Sequence, residues 1–261
     1  MKRKKPNFWA WMLLIAGFIY FFFPLYASFD FSLREIRGKL SFLTYQNIFT
    51  DPQFYHQFGF SMEMAFFTII FGFVLVVPTA YWIRVRLPKH RPIVEFITLL
   101  PFVIPAVVLA FGLIGTYSRP PFNLASSPAL LVIGYIILAL PYMYRSVDAG
   151  LQAIEIHTLT EAAQSLGAGW GTIILKVILP NLRVAILSGT FLTFAICLGE
   201  FTLSSLFYWP AFGPYMHAVS RVKAYEPSAL AVISFALTWG AIGIMQWVGG
   251  RGAQSQVAGA H

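Results

Sequence analysis

The sequence predicts an all-α integral membrane protein, built as a bundle of six transmembrane helices with a short polar helix outside the bilayer. Hydrophobic residues make up 58% of the 261 residues and charged residues only 11%. A soluble domain normally carries about 25% charged residues, so this chain could not cover a water-exposed surface. Six apolar segments are also long enough, or nearly so, to cross a bilayer, which takes about 20 residues.

The six predicted spans follow one another along most of the chain. They are about Phe8–Phe29, Phe60–Ile83, Val94–Tyr117, Pro128–Tyr144, Val184–Tyr208 and Ser228–Val248. The first is too long for a signal-peptide core and no small-residue cleavage site follows Ala27, so we expect it to be retained. A basic segment at 1–7 would then precede one transmembrane domain at 8–248. The Gly-, Ala-, Ser- and Gln-rich tail at 249–261 is expected to be flexible.

The distribution of Lys and Arg predicts the orientation. With the N-terminus inside, the inner segments hold 12 Lys and Arg residues and the outer segments hold 6. The positive-inside rule therefore places both termini in the cytoplasm. The loop at about 146–182 becomes the largest cytoplasmic loop. The compact basic cluster Arg84–Arg91 is interpreted as topology control and contact with anionic lipid.

A short capped helix is predicted inside the 146–182 loop. The run from Thr158 to Glu161 matches a capping box, in which Thr158 is the helix cap. Gly167 is suited to the left-handed conformation that ends a helix. Between them, Ala162 and Ala163 form a small-residue face that would let another backbone approach closely.

A second amphipathic run follows at 170–178. We expect Pro180 to end this run before the fifth span begins. Two alternatives remain for this loop when the residues are considered alone. It could be an interfacial helix lying on the headgroups, or it could contact a protein outside the bilayer.

The spacing of this loop resembles the EAA loop of permease subunits in binding-protein-dependent ABC importers. The pattern is E-A-A, three residues, G, nine residues, a β-branched residue, one residue and L-P. The matching residues are Glu161, Ala162, Ala163, Gly167, Val177, Leu179 and Pro180. Val177 stands where Ile is usual. Pro101, Pro105, Pro141 and Arg145, and six spans with the loop between the fourth and fifth, also resemble this family.

The resemblance implies the type I importer fold, named after the methionine importer permease, with a cytoplasmic coupling helix between helices 4 and 5. It implies a dimeric cytoplasmic ABC ATPase, which binds ATP and Mg, a second and non-identical permease, and an extracytoplasmic solute-binding protein. A homodimer stays open. The location would be the bacterial cytoplasmic membrane. The overall layout is most similar to spermidine/putrescine-type permeases, which implies a polyamine. Ferric iron, thiamine and phosphonate importers use similar permeases and remain alternatives.

Motifs for catalysis are missing from the sequence. It has no G-x-x-x-x-G-K-[ST] phosphate loop, so we expect no ATP hydrolysis by this chain and no cofactor in it. It has no H-E-x-x-H motif, its five histidines are scattered, and its lone cysteine, Cys197, lies in an apolar run. We expect no metal site and no nucleic-acid partner. An ion-gradient-driven carrier is the alternative function, although no internal repeat of the kind common in such carriers is visible.

Two carboxylates within the spans are candidate pathway residues. Ionisable residues in a membrane are costly and usually face a cavity or the bundle interior. Glu200 in the fifth span and Glu63 in the second have no basic residue nearby in their own helices, which favours a cationic solute. Glu200 could instead hydrogen-bond a neighbouring helix. The aromatic residues Tyr208, Trp209 and Tyr215 could offer cation–π faces or form an interfacial belt.

Overall fold

The computed structural model describes residues 8–36, 38–121 and 123–257. The predicted basic segment 1–7 and the last four residues of the predicted tail lie outside the described residues. Regular structure in the described ranges is helical throughout. The helices are α1 Phe8–Ser32, α2 Leu43–Thr50, α3 Pro52–Val85, α4 Arg91–Val103, α5 Ala106–Tyr117, α6 Pro128–Gln152, α7 Ile156–Ser165, α8 Trp170–Asn181, α9 Arg183–Gly199, α10 Thr202–Leu206, α11 Phe212–Val222 and α12 Glu226–Val257.

Five of the six predicted spans correspond to long apolar helices or to pairs of helices joined at a bend. Within the described residues, α3, α6 and the Trp11–Ser32 part of α1 are long and apolar enough to cross a membrane. The number rises to five if two bent pairs each form one span. The predicted sixth span lies inside α12, which is not among these five. Helix α12 continues to Val257 and so includes residues 249–257 of the predicted tail.

Both broken spans bend where the local sequence interrupts the helix. Helices α4 and α5 meet at 105°. Ile104 between them is extended, with φ −84° and ψ 116°, because Pro105 disfavours helical geometry in the preceding residue. Helices α8 and α9 meet at 78° around Leu182. Pro180 therefore lies inside α8, and the chain turns two residues later than predicted.

The chain divides into two compact units. The first comprises residues 1–55 and 215–237. Within it, the buried Tyr215 donates a hydrogen bond to Asp51 (2.8 Å). The carboxylate of Glu35 accepts hydrogen bonds from Thr44 (2.7 Å) and Asn47 (3.1 Å). The contacts of Glu35 hold the segment between α1 and α3 in a folded conformation. The bond to Tyr215 attaches the end of this segment to α11.

The second unit comprises residues 56–214 and 238–261 and contains two buried clusters. One cluster joins α3 and α6 to the α7–α8 segment and includes Tyr81, Met143, Leu151, Ile156, Ile173, Ile178 and Leu182. The other joins α5 and α6 to α10 and includes Leu113, Leu130, Tyr135 and Leu203. Helices α6 and α9 approach closely, because a Cβ on Gly150 would lie 2.5 Å from the Cβ of Ala185.

Candidate functional site

Helix α7 begins earlier than the capping box predicted. It starts at Ile156, and Glu155 occupies the N-cap without a side-chain hydrogen bond. Thr158 is exposed inside the first turn, so its prediction as the helix cap is wrong. The physical reason is burial: Ile156 and Thr160 lie one turn apart and are only 5% and 3% exposed. Covering both extends the helix by three residues, which outweighs a cap worth about 1 kcal/mol.

The end of α7 agrees with the sequence. Gly167 has φ +79°, the left-handed conformation predicted for it. Its N–H donates to the carbonyl of Gln164 (2.8 Å), and the N–H of Ala168 donates to the carbonyl of Ala163 (3.0 Å). These two bonds form a Schellman motif, which satisfies the last carbonyls and stops the helix sharply.

Side chains at the end of α3 hold the α7–α8 segment in place. Tyr81 is fully buried, and its hydroxyl lies 2.9 Å from the hydroxyl of Thr160. The ring of Trp170, at the start of α8, packs 4.7 Å from the ring of Trp82. The guanidinium of Arg86 lies over the same Trp170 ring at 4.9 Å, a cation–π contact. The segment is therefore attached to the spanning helices through packed and hydrogen-bonded side chains.

The two alanines of the E-A-A sequence lie on different faces. Glu161 and Ala162 are exposed, whereas Ala163 is partly buried against the α3–α6 cluster. We expected both alanines to face a partner, and only Ala162 has the exposure for that. In α8, Leu179 is partly buried against the same cluster and Pro180 is exposed.

Leu166 is the most prominent feature of the exposed face, and the sequence interpretation missed it. Its side chain is 89% exposed immediately before Gly167. A large apolar residue between Ser165 and Gly167, in an otherwise polar stretch, was the available signal. Leu166 and Ala162 thus form a small apolar surface at the rigid end of α7.

A charged cluster joins three helices near this segment and was also missed. Asp148 of α6 accepts hydrogen bonds from Arg84 of α3 (2.8 Å) and Arg91 of α4 (3.1 Å). Gln152 also donates to it at 2.7 Å, and Arg91 forms a second ion pair with Glu95 (2.8 Å). The basic cluster predicted to control topology therefore includes two arginines that bind a buried carboxylate. An aspartate late in an apolar helix was the signal.

Glu200 caps a helix. It lies in the break between α9 and α10, and its carboxylate accepts from the backbone N–H of Leu203 (2.8 Å) and of Ser204 (3.2 Å). The side chain is 9% exposed. This arrangement matches the alternative considered for it, a hydrogen-bonded role between elements. Among the cavities of the described residues, the one that Glu63 lines, of about 420 Å³, is otherwise mostly apolar.

The three aromatic residues have different surroundings. Trp209 stacks on Phe60 with ring centroids 5.7 Å apart. Tyr208 is 93% exposed and has φ +58°, an uncommon conformation for a residue with a Cβ. Tyr215 is buried in the other unit.

An open groove lies between α6 and α9, next to the α7–α8 segment. Its volume is about 630 Å³. Small residues line it, among them Ser146, Ala149, Ala185 and Ser188, and Arg145 supplies the charged group. A groove of this size and polarity could hold a small solute, and it would need a covering surface from another chain to become an enclosed path.

The sequence of this chain matches a family of known proteins. The family model described as "Binding-protein-dependent transport system inner membrane component" matches residues 77–248, which include the α7–α8 segment and the groove. The chain belongs to this family. It is an ABC importer permease subunit of the type I class, a multi-pass inner-membrane protein and a transport component rather than an enzyme.

Similar proteins include permeases of several transport systems. The chain is 28% identical over 258 residues to the molybdenum transport system permease protein ModB of Mycobacterium tuberculosis, covering 93% of this chain and 94% of that protein. It is 28% identical to the probable sulfate transport system permease protein cysT of Prototheca wickerhamii, over 68% of this chain and 71% of that protein. It is 25% identical to the spermidine/putrescine permease PotB of Escherichia coli, over 60% and 62%.

Solved structures agree on the fold. A bacterial alginate ABC transporter in complex with an alginate-bound periplasmic protein matches with a TM-score of 0.67 and 18% identity, covering 93% of this chain and 94% of that chain. The MetNI methionine transporter in its inward-facing form matches with a TM-score of 0.58 and 20% identity, covering 77% and 94%.

Proposed function

We propose that this permease docks its partner ATPase on the exposed end of α7 and forms one half of the pathway for a small solute. The observation that carries the proposal is the apolar surface of Ala162 and Leu166 beside the left-handed Gly167. An apolar side chain this exposed in a polar loop is a suitable centre for a protein contact, since desolvated apolar anchors dominate such interfaces.

The attachment of α7 to the spanning helices supports a coupling role. A force on α7 passes to α3 through the buried Tyr81–Thr160 hydrogen bond and through the packing of Trp170. It passes to α6 and α9 through the shared apolar cluster. Well-packed interiors transmit displacement instead of absorbing it. A movement of the ATPase subunits would therefore change the angle between the helices that line the groove.

The remaining partners and the orientation are those that the family resemblance and the charge distribution imply. We infer that the α7–α8 segment and both termini are cytoplasmic, as the distribution of Lys and Arg predicts. ATP and Mg would bind to the ATPase dimer. A second permease, which we expect to be non-identical, would cover the α6–α9 groove, and a solute-binding protein would act on the opposite side. The solved relatives support the ATPase and the binding protein, since one is the MetNI transporter and another contains a periplasmic protein.

The likeness to PotB supports a polyamine as one substrate, beside the sulfate and molybdate of other relatives. The argument from individual residues that the transported solute is a cation is weaker than the sequence suggested. It depended on Glu200 being an unpaired acid, and the Glu200 carboxylate is bound to two backbone amides. Membership of the importer family favours ATP-driven transport over an ion-gradient carrier.

Co-purification tests the docking surface. Leu166→Asp places a charge at the centre of the proposed contact, and Leu40→Asp makes the same change at a leucine of the other unit that is 67% exposed. We expect Leu166→Asp to lose the ATPase from the complex purified from native membranes. Leu40→Asp should retain it. An unchanged ATPase yield with Leu166→Asp, at equal membrane insertion, would contradict the docking role.

A further inference from the structure

We infer that the groove between α6 and α9 selects a small oxyanion, and that Arg145 is the residue that selects it; this inference rests on the proposed transport function. Arg145 is exposed in α6, in the last third of a membrane-spanning helix. It is the one charged residue that lines the groove among the described residues. Its charge therefore decides which sign of solute the groove favours.

Arg145 has no counter-ion in the described structure. No hydrogen bond or ion pair of its guanidinium occurs within residues 8–36, 38–121 and 123–257. Arg145 is thus available to a ligand, with five N–H donors in the fork that suits the oxygens of an anion.

The charges on the α4 side of Arg145 cancel one another. A second cavity of about 400 Å³ on that side is lined by Arg145 together with Arg91, Glu95 and Asp148. Asp148 binds Arg84 and Arg91, and Glu95 also binds Arg91. Three arginines thus face two carboxylates, and both carboxylates have partners. The net charge left among these five groups is the single positive charge of Arg145.

The remaining groove residues suit an anion of modest size. Ser146 and Ser188 offer hydroxyl donors from opposite walls, and the small side chains of Ala149 and Ala185 leave space between them. Hydrogen bonds from an arginine to an anion are charge-assisted and stronger than neutral ones, and the two serine hydroxyls can donate to the remaining oxygens of the anion. A polyamine would meet the opposite situation, with a repelling charge and no acid to compensate for it.

Charge-sensitive thiol labelling tests the groove without any transport step. The variant Ser188→Cys places a thiol opposite Arg145, in a background where Cys197→Ala removes a native cysteine that is already buried. The rates of reaction with the anionic reagent MTSES and the cationic reagent MTSET are compared in membranes. We expect Arg145→Gln to lower the MTSES/MTSET rate ratio on the order of tenfold, because the reagents differ by two charges.

Matched variants separate this charge effect from general disturbance. Arg145→Lys should keep the ratio, and Lys89→Gln should leave it unchanged, since Lys89 is exposed on the turn before α4 and lines neither cavity. Millimolar molybdate or sulfate should slow MTSES labelling in the parent and not in Arg145→Gln. A ratio that Arg145→Gln does not change would overturn the inference.

Transport then identifies the class of substrate. The importer is purified with its partner subunits, reconstituted with ATP, and supplied with labelled molybdate, sulfate or spermidine. We expect ATP-dependent uptake of an oxyanion that falls at least tenfold in Arg145→Gln and persists in Lys89→Gln. Uptake of spermidine that Arg145→Gln leaves unchanged would overturn the oxyanion. Failure of the proposed function would differ from both, because uptake would then be independent of ATP while the labelling ratio still reported the charge of the groove.

Discussion

Two short helices of the second unit, α7 and α10, end with the same hydrogen-bonded motif but use different residues for it. In α7 the left-handed position is Gly167, and in α10 it is Tyr208. The N–H of Tyr208 donates to the carbonyl of Ser205 (3.2 Å), and the N–H of Trp209 donates to that of Ser204 (2.9 Å). The pattern matches the bonds of Gly167 and Ala168 at the end of α7.

The two helices also differ at their N-termini, where only α10 has a side-chain cap. Helix α7 has no side-chain cap, whereas the buried carboxylate of Glu200 caps α10. Helix α7 is instead held laterally, by the Tyr81–Thr160 hydrogen bond and by packing. A lateral attachment leaves the end of α7 open to a partner. Helix α10 is fixed by its cap, and this fixation can hold a strained and exposed tyrosine in place.

The largest expected effect comes from the N-terminus of α10. Glu200→Ala leaves two buried backbone N–H groups without acceptors, which should lower the free energy of unfolding by about 2–3 kcal/mol. Glu155→Ala, at the N-cap of α7, removes no side-chain hydrogen bond and should cost less than about 0.5 kcal/mol. Thermal unfolding of the purified variants in detergent measures the difference. Equal losses would show that the cap is unimportant.

The lateral attachment of α7 should give the next effect. Thr160→Val conserves volume and leaves the buried Tyr81 hydroxyl without its partner, at a cost of about 1–2 kcal/mol. Thr158→Val, on the exposed face of the same helix, should be close to neutral. Hydrogen exchange of the 156–168 amides should rise in Thr160→Val and not in Thr158→Val. An equal rise in both would mean that the hydrogen bond does not hold α7.

Substitutions at the two left-handed positions should change the stability of the protein in opposite directions. At Gly167 no atom lies within 4 Å of an added Cβ, so Gly167→Ala isolates the backbone strain and should destabilise by about 1 kcal/mol. Tyr208→Asn puts a residue that tolerates this conformation in place of one that does not, and should stabilise by up to about 0.5 kcal/mol. A loss of stability in Tyr208→Asn would mean that the exposed ring makes a stabilising contact.

The smallest stability effect is expected on the open face of α7. Ala162→Ser adds one exposed hydroxyl and should change the unfolding free energy by less than about 0.5 kcal/mol. Ala163→Ser buries that hydroxyl against the apolar cluster and should cost about 1 kcal/mol. Chemical unfolding measures the loss of unfolding free energy in both variants. A larger loss in Ala162→Ser than in Ala163→Ser would contradict the assignment of the two faces.

The sequence predicted the all-α membrane class and the stop at Gly167 because these depend on local patterns. Apolar length identifies a spanning helix, and a glycine after a polar helix identifies a Schellman end. Contacts between residues far apart in the sequence could not be predicted. Asp148 meets Arg84 across 64 residues and Tyr81 meets Thr160 across 79, and no local pattern reports such pairs.

Neighbours in the sequence could not decide the roles of two residues. Thr158 was predicted to be a helix cap and is not one, and Glu200 had two alternatives, a pathway residue or a residue that hydrogen-bonds a neighbouring helix. Burial of Ile156 extended one helix past its predicted cap. The break after Gly199 turned the other residue into a cap for α10. In both cases tertiary packing decided which backbone groups needed partners.

Photocrosslinking from the two helix ends tests the central claim most directly. Benzoylphenylalanine is placed at Leu166 or at Tyr208, the complex is irradiated in native membranes, and the captured proteins are identified by mass spectrometry. The account predicts that position 166 captures an ATPase subunit carrying a phosphate-binding loop and that position 208 does not. Capture of the ATPase from position 208, or of lipid alone from position 166, would contradict it.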